Sequence, residues 1–335
     1  MPIFNQGSGG GGGLLPRIIV TAPTGSTVTC VKDAVTLTAT ESSGTWTFDV
    51  PDFGTWTVNA TKGAESTSKT VNVNMAAVYE VTLAYVDETL NNNTWAVIQQ
   101  VSQASTGANY WSVGDRKQIT VNGTFGDTTI SNYSTWVYII GFDHNSSREG
   151  TGIAFQGFKT AQTGGIDVCL IGVNYSNRDT TGFNMNTSDT NTGGWNGSRM
   201  KKTTLPAFMQ ALPSDLQAVI KTTTLYTDNT GGGSDVASYV TATQEQCYLL
   251  AEWEIFGARS YANSAEKNYQ TQYAYYSAGN SKVKYRHDST SSTVYWWGRS
   301  PTATANSIFC RVNTNGGADS GNASRSYGLA VAFKV

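Results

Sequence analysis

The C-terminal stretch Val294–Val335 carries the clearest structural pattern in this sequence. It opens with Val294-Tyr295-Trp296-Trp297-Gly298-Arg299-Ser300-Pro301 and closes with Ser326-Tyr327-Gly328-Leu329-Ala330-Val331-Ala332-Phe333-Lys334-Val335. Between these runs, Ile308, Cys310 and Val312 alternate with Phe309, Arg311 and Asn313, which predicts a strand with one buried face. Apolar strands that hold polar loops are a suitable support for a binding surface.

The polar side chains around this predicted strand are the candidate ligand-binding residues. Each places a hydrogen-bonding or aromatic group on a strand or loop beside the apolar runs. We expect the binding surface to comprise Tyr295, Arg299, Thr304, Asn306, Arg311, Asn313, Asn315, Asp319, Asn322 and Arg325. The apolar support beneath it would consist mostly of Trp296, Trp297, Ile308, Cys310, Val312, Leu329, Val331 and Phe333.

Motifs farther upstream extend the pattern. In chain order they are Tyr110-Trp111-Ser112-Val113-Gly114-Asp115, Gly194-Trp195-Asn196-Gly197-Ser198-Arg199-Met200, Ala211-Leu212-Pro213-Ser214-Asp215-Leu216 and the apolar run Gln246–Gly257. Together with the two C-terminal runs, they resemble the C-type-lectin-like fold over residues 90–335. The branch is that of formylglycine-generating-enzyme-like domains, phage tropism determinants and the variable proteins of diversity-generating retroelements. The resemblance implies a fold and leaves the ligand open, because one fold serves many sites.

The predicted fold class is mainly β with a few short helices (α+β), and the 335 residues divide into three parts. Residues 1–15 form a Gly-rich flexible attachment segment. Residues 16–87 contain short alternating runs separated by turn residues, which predict a small β-sandwich that resembles immunoglobulin-like or carboxypeptidase-regulatory-like modules. Residues 88–335 form the C-type-lectin-like domain. In the sandwich, Trp46 and Trp56 are expected in the core, with weak carbohydrate binding as the alternative.

Helices are predicted in three places in the second domain. Asn91–Asn93 can supply an N-cap for a helix over Thr94–Val101, and two further helices follow at Leu205–Leu212 and from Pro213. Long polar segments at residues 174–196, 226–235 and 261–280 are expected to lie near the binding face, because long loops in compact domains are often functional.

Composition argues against nucleic acid as a partner and leaves several other classes of function open. The net charge is −2 and only 14% of residues are charged, so no basic patch favours nucleic acid. Polarity comes from neutral side chains, alongside 17 Tyr and 9 Trp, a composition that glycan-binding surfaces and paratopes share. An ordinary secreted or virion β-protein would also have this composition.

The four cysteines, Cys30, Cys169, Cys247 and Cys310, lie far apart without metal-ligand spacing. We expect small buried core residues, and one bridge among the last three remains open. The N-terminus has no signal-peptide pattern, and no apolar run predicts membrane insertion. These features predict synthesis in a host cytoplasm with reduced thiols.

Catalytic and metal-binding patterns are sparse. The calcium-site triplets of sugar-binding C-type lectins are absent, and Trp195-Asn196-Gly197 lacks the carboxylate. The segment from Asp143 to Glu149, which includes His144, could contribute to an ion site, although an exposed hairpin loop is the favoured interpretation. Glu252 and Glu254 on a predicted strand could form a glycosidase pair, or Glu252 could pair with Arg299 or Arg259. We predict no enzyme activity, no cofactor and no metal.

The favoured function is a phage virion adhesin on a tail tip, tail fibre or head fibre. Its expected partners are other virion proteins, bound through the N-terminal segment, and a glycan or protein of the host surface. A homo-oligomer is expected, with a trimer favoured, because several weak sites then act together. The alternatives are a purely structural decoration or collar protein, a bacterial surface adhesin, and an enzyme of the formylglycine-generating kind. Retroelement-driven diversification of the C-terminal loops is a further hypothesis.

Overall fold

The computed structural model describes residues 15–63 and 65–335, which are mainly β with a few short helices. The predicted fold class is confirmed at this level. The predicted attachment segment lies outside the described residues, except for Leu15. Contacts within the chain divide it into two compact units, Met1–Val86 (unit 1) and Asp87–Val335 (unit 2).

The described residues of unit 1 form seven strands in two sheets. One sheet has the order β4-β1-β7 and the other has the order β3-β2-β5-β6. The strands are β1 Arg17–Thr21, β2 Thr27–Lys32, β3 Val35–Thr38, β4 Thr45–Asp49, β5 Gly54–Lys62, β6 Glu65–Val73 and β7 Val78–Thr82.

Both sheets of unit 1 contribute side chains to one apolar core. Ile18 and Val58 are fully buried there, together with Trp46 and Trp56, which are 2% and 0% exposed. The Trp56 indole N–H donates to the backbone oxygen of Asp52 at 3.1 Å. The alternative that these tryptophans bind carbohydrate is therefore wrong, because neither ring has a face open to a ligand.

Unit 2, all of whose residues are described, contains thirteen strands and seven short α-helices. The strands are β8 Arg116–Phe125, β9 Thr128–Phe142, β10 Ile153–Lys159, β11 Val168–Cys169, β12 Thr223–Asp228, β13 Val240–Glu245, β14 Cys247–Tyr248, β15 Lys284–Arg286, β16 Thr293–Val294, β17 Trp296–Pro301, β18 Ile308–Val312, β19 Ala318–Asn322 and β20 Ala332–Lys334. The helices are α1 Trp95–Gln103, α2 Ser146–Glu149, α3 Gly194–Gly197, α4 Leu205–Gln210, α5 Ser214–Gln217, α6 Glu252–Phe256 and α7 Ala274–Ser277.

A five-stranded sheet with the order β14-β20-β10-β9-β8 forms the centre of unit 2. The closing apolar run of the sequence supplies β20, which pairs with β10 on one side and with β14 on the other. The adjoining core includes Tyr138, Tyr248 and Trp296, all fully buried. The C-terminal run is therefore part of the interior, as its composition predicts.

Helix α1 follows its predicted position closely. The Thr94 side chain, one residue beyond the predicted caps, accepts from the Val97 backbone N–H at 3.3 Å. Trp95, Ile98 and Val101 are buried on one side of the helix, as the spacing predicts.

The four cysteines are free and buried. The one bridge that the sequence leaves open is therefore absent. Among the described residues, no helix is both long and apolar enough to cross a membrane.

Candidate functional site

The candidate site lies on the three-stranded sheet β17-β18-β19. Its register places Trp297 opposite Arg311 and Arg311 opposite Asp319. Directly opposed residues project from the same face of a sheet, so the three side chains lie next to one another.

Arg311 is held in one position by an ion pair and two aromatic rings. Its Nε and Nη2 atoms lie 2.9 Å and 2.8 Å from Asp319 Oδ2. Its guanidinium carbon lies 3.9 Å from the ring centre of Tyr295 and 4.4 Å from that of Tyr327. The Arg311 side chain is 13% exposed and that of Asp319 is 28% exposed. These four residues are called the Arg311 cluster.

Tyr327 is the member of this cluster that the sequence analysis missed. Its ring packs against Trp297 at 4.8 Å and lies over Gly321, where an added Cβ would come within 2.6 Å of the ring. Burial raises the pKa of Tyr327, so its hydroxyl stays protonated near neutral pH. Gly321 on β19, which pairs with Phe309 on β18, was the sequence signal for this contact. A glycine in a strand often marks the close approach of another group.

The long segment that begins near residue 174 lies against the end of β19. The Tyr175 hydroxyl accepts from the Tyr295 backbone N–H at 2.9 Å, and Arg325 donates to the Ser176 carbonyl. Asn322 donates to Asp189 at 3.1 Å. Hydrogen bonds therefore join this loop to the sheet next to the cluster.

The remaining candidate residues lie at two separate ends of the sheet. Thr304 and Asn306 are exposed in the β17–β18 connection, whereas Asn315 is exposed in the β18–β19 connection. Strand β18, five residues long, separates these connections by roughly 15 Å. Asn313 is a turn residue, because its Oδ1 accepts from the backbone N–H groups of Asn315 and Gly317, both at 2.9 Å. One small ligand cannot contact both ends.

Phe309 corrects the predicted one-sided burial of β18. It is fully buried on the face that also carries Arg311. That face is partly covered by Tyr327, which packs over the opposing Gly321, so both faces of the strand lose exposure.

Arg299 is not part of the surface, which corrects the sequence-based assignment. It is fully buried and donates to both oxygens of Glu254, with Nη1–Oε2 at 2.6 Å and Nη2–Oε1 at 2.5 Å. Its remaining donors reach Thr227 and the Leu249 carbonyl. Burial opposes its charge, but the Glu254 carboxylate outweighs that effect and the pKa of Arg299 is raised.

Comparison with known families accounts for half of the chain. Residues 167–335 match the model of a family described as a domain of unknown function, DUF6273. The chain belongs to the DUF6273 family. The DUF6273 region contains the Arg311 cluster together with Arg299 and Glu254. No curated protein and no solved structure matches the chain.

Two carboxylates of the DUF6273 region, proposed from sequence as a catalytic pair, have separate structural roles. Glu252 and Glu254 lie on helix α6 and not on a strand. Glu252 accepts from the backbone N–H groups of Tyr261 and Ala262, at 2.9 Å and 2.8 Å. It therefore does not pair with Arg299 as expected, and neither carboxylate faces a substrate-sized opening, since both are buried.

The segment around His144 connects β9 to the antiparallel β10 and exposes Ser146, Ser147 and Arg148, as the hairpin interpretation predicts, but His144 and Glu149 are buried. His144 stacks on Tyr273 with ring centres 3.6 Å apart, and Glu149 accepts from Lys334 at 3.0 Å. All four side chains are buried. Across residues 15–63 and 65–335, no three His, Cys, Asp or Glu side chains converge into a group that could hold a metal ion.

The chemistry available at the Arg311 cluster is that of recognition. Tyr295 and Asp319 are partly exposed and supply an aromatic ring and carboxylate oxygen, whereas Tyr327 is buried and packs against Arg311. The Asp319 carboxylate balances the charge of Arg311. The Asp288 carboxylate balances the charge of the nearby Arg286, with Nε–Oδ1 at 2.8 Å and Nη2–Oδ2 at 2.7 Å. A surface of this kind suits a neutral, hydroxyl-rich or amide-rich partner better than a polyanion.

Proposed function

We propose that the protein is a phage virion adhesin that recognises a glycan or protein on the host surface. In this proposal unit 1 is an immunoglobulin-like β-sandwich and unit 2 is a C-type-lectin-like recognition domain. The chain would be carried on a tail tip, tail fibre or head fibre as a homo-oligomer, with a trimer favoured. Residues 1–15 would attach to other virion proteins.

The Arg311 cluster is the observation that supports recognition most directly. Arg311 is fixed by Asp319, Tyr295 and Tyr327 before any ligand arrives. A preordered surface loses little side-chain entropy on binding, so more of its contact energy is available for affinity. The paired charges also limit attraction to unrelated polyanions.

Binding of the labelled full-length chain to bacteria from the source culture tests this proposal. Arg311→Lys removes the planar stacking and the two-nitrogen contact with Asp319 but keeps the charge. We expect at least a roughly tenfold loss of cell binding, since the change of a hot-spot residue costs about 2 kcal/mol or more.

Arg148→Lys is the matched control. Arg148 also stacks on tyrosines, 4.8 Å from the ring centre of Tyr269 and 5.8 Å from that of Tyr226, outside the cluster. The Arg148→Lys variant should bind cells as strongly as the wild type does. Equal binding by all three proteins would show that the cluster is not the contact surface.

Immunogold electron microscopy of a lysate tests the location independently. Gold on tail tips or fibres supports the adhesin. Gold spread over capsids favours a decoration role, and gold on cell envelopes alone contradicts the virion proposal.

A further inference from the structure

The described residues of unit 1 expose five large apolar side chains, each by about half. Their exposed fractions are 45–58%, and the residues are Leu15, Val35, Phe53, Met75 and Val78. They lie on four different segments, so their positions in the fold decide whether they form one surface.

Hydrogen bonds around β1 bring three of these side chains to the same end of unit 1. The Val50 backbone N–H donates to the Pro16 carbonyl at 2.9 Å, which places Leu15 beside the segment that leads to Phe53. The Arg17 backbone N–H donates to the Ala77 carbonyl at 2.9 Å, which places Val78 there as well.

The second sheet brings the remaining two side chains to this end. Gly54 pairs with Val73, so Phe53 lies beside the segment that contains Met75. Lys32 pairs with Val35 in the β2–β3 hairpin and donates to the Phe53 carbonyl. All five side chains therefore share one end of unit 1, called the apolar end.

We propose that the apolar end is a contact surface between copies of this chain. Five half-exposed side chains of this size leave an apolar area on the order of 400 Å². A stable interface buries about 800 Å² on each partner, of which somewhat more than half is apolar. The apolar end thus supplies the apolar share of one such interface, and its surroundings supply the polar rim.

The charges at this end favour a second copy over a charged partner. Arg17 pairs with Asp49 at 2.7 Å and Lys32 pairs with Asp52 at 2.9 Å. Because these cations are already paired within the chain, the rim neither attracts a polyanion nor strongly repels an identical rim. Identical rims can then lie side by side around the axis of a symmetric assembly of copies.

This inference concerns assembly and does not depend on the ligand proposed for unit 2. Sedimentation equilibrium of the full chain measures it, with Phe53→Ser, Met75→Ser and Val78→Ser combined in one variant. We expect the wild type to self-associate and the variant to lose at least about 30-fold in self-affinity, as for the loss of central apolar contacts. At concentrations where both proteins are monomeric, its thermal unfolding should match that of the wild type, because these side chains are half-exposed.

A triple change elsewhere is the matched control. Ile166→Ser, Val173→Ser and Val236→Ser remove apolar side chains that are 36–42% exposed from unit 2 and should leave self-association intact. A wild type that stays monomeric, or a Phe53, Met75 and Val78 variant that still associates, overturns the proposal. If the wild type stays monomeric, the apolar end instead contacts a different protein or a membrane. Binding of the chain to added lipid vesicles distinguishes these two partners.

Cysteine crosslinking gives a second readout that changes only one of the five side chains of the apolar end. Met75→Cys should form a disulfide between two chains under mild oxidation. Ser66→Cys should form no such disulfide. Ser66 is exposed and pairs with Thr61 at the opposite end of unit 1. The native cysteines are buried and do not compete. Equal crosslinking of the two variants would contradict the assigned surface.

Discussion

The guanidinium of Arg299 donates to both carboxylate oxygens of Glu254 in the interior of unit 2, and neither side chain is exposed. Removal of one partner leaves the other as an uncompensated buried charge. Such a change lowers the free energy of unfolding by about 3–5 kcal/mol, whereas an exposed ion pair contributes only about 0–1 kcal/mol to it.

Arg299→Met should therefore destabilise unit 2 by about 3–5 kcal/mol. Chemical denaturation followed by tryptophan fluorescence measures the change. The control is Arg178→Ala, which breaks an ion pair with Asp189 in which the arginine side chain is 56% exposed, and it should cost less than about 1 kcal/mol. Similar losses in the two variants would contradict the structural role of the buried pair.

Glu266 should give unit 2 a measurable pH dependence. Burial raises the pKa of its carboxyl from 4.5 to about 7, so the folded unit retains a proton that the unfolded chain releases. This contribution is fully present below pH 4.5 and is lost as the pH rises through 7. Its full size is about 3 kcal/mol, from the pKa difference.

Glu266→Gln should flatten the fall in unfolding free energy between pH 4.5 and 7. Burial shifts the pKa of His144 to about 4 and that of Glu149 to about 7, and these groups remain in both proteins. The difference between the two stability curves therefore isolates Glu266. Parallel curves would mean that Glu266 is ionised in the folded state.

Gly321→Ala tests the geometry of the Arg311 cluster without removing any of its members. The added Cβ would lie 2.6 Å from the Tyr327 ring and 3.1 Å from Arg311 Cδ, so both side chains must shift. We expect about 1–3 kcal/mol of destabilisation from overpacking, together with weaker cell binding. Ser320→Ala on the same strand is the control. Unchanged stability in Gly321→Ala would show that Tyr327 does not pack over this strand.

The four thiols should be unreactive in the folded chain. Burial raises the pKa of the Cys30 thiol to about 11 and that of Cys169 to about 12, and it also raises the pKa values of Cys247 and Cys310. A thiol-specific reagent should label no cysteine at pH 8 and all four in denaturant, and a reductant should leave the melting temperature unchanged. Rapid labelling of the native chain would contradict the assigned burial.

Local patterns predicted three of the seven α-helices of unit 2, α1, α4 and α5, because the determinants of these helices are close in sequence. The apolar spacing of Trp95, Ile98 and Val101 lies within one short segment, next to the cap at Thr94. By contrast, Glu252–Phe256 was predicted as a strand, since a five-residue apolar run does not distinguish a strand from a helix.

The candidate site was predicted only in part, for a related reason. Tyr295, Arg311 and Asp319 do come together, because a strand and its neighbours set their register. Arg299 was misplaced because its partner Glu254 is distant in sequence, and a charge is expected at the surface unless such a partner is known. Tyr327 was missed because its contact depends on the empty space above Gly321.

The position of β20 also orders events during synthesis. Ala332–Lys334 lies between β10 and β14, so the central sheet of unit 2 is split until this strand has left the ribosome. The strands of unit 1 are complete by Thr82 and can close their core much earlier. While translation continues, the nascent chain therefore carries a finished first unit ahead of an open sheet, whose unpaired strand edges can pair with another chain in that interval.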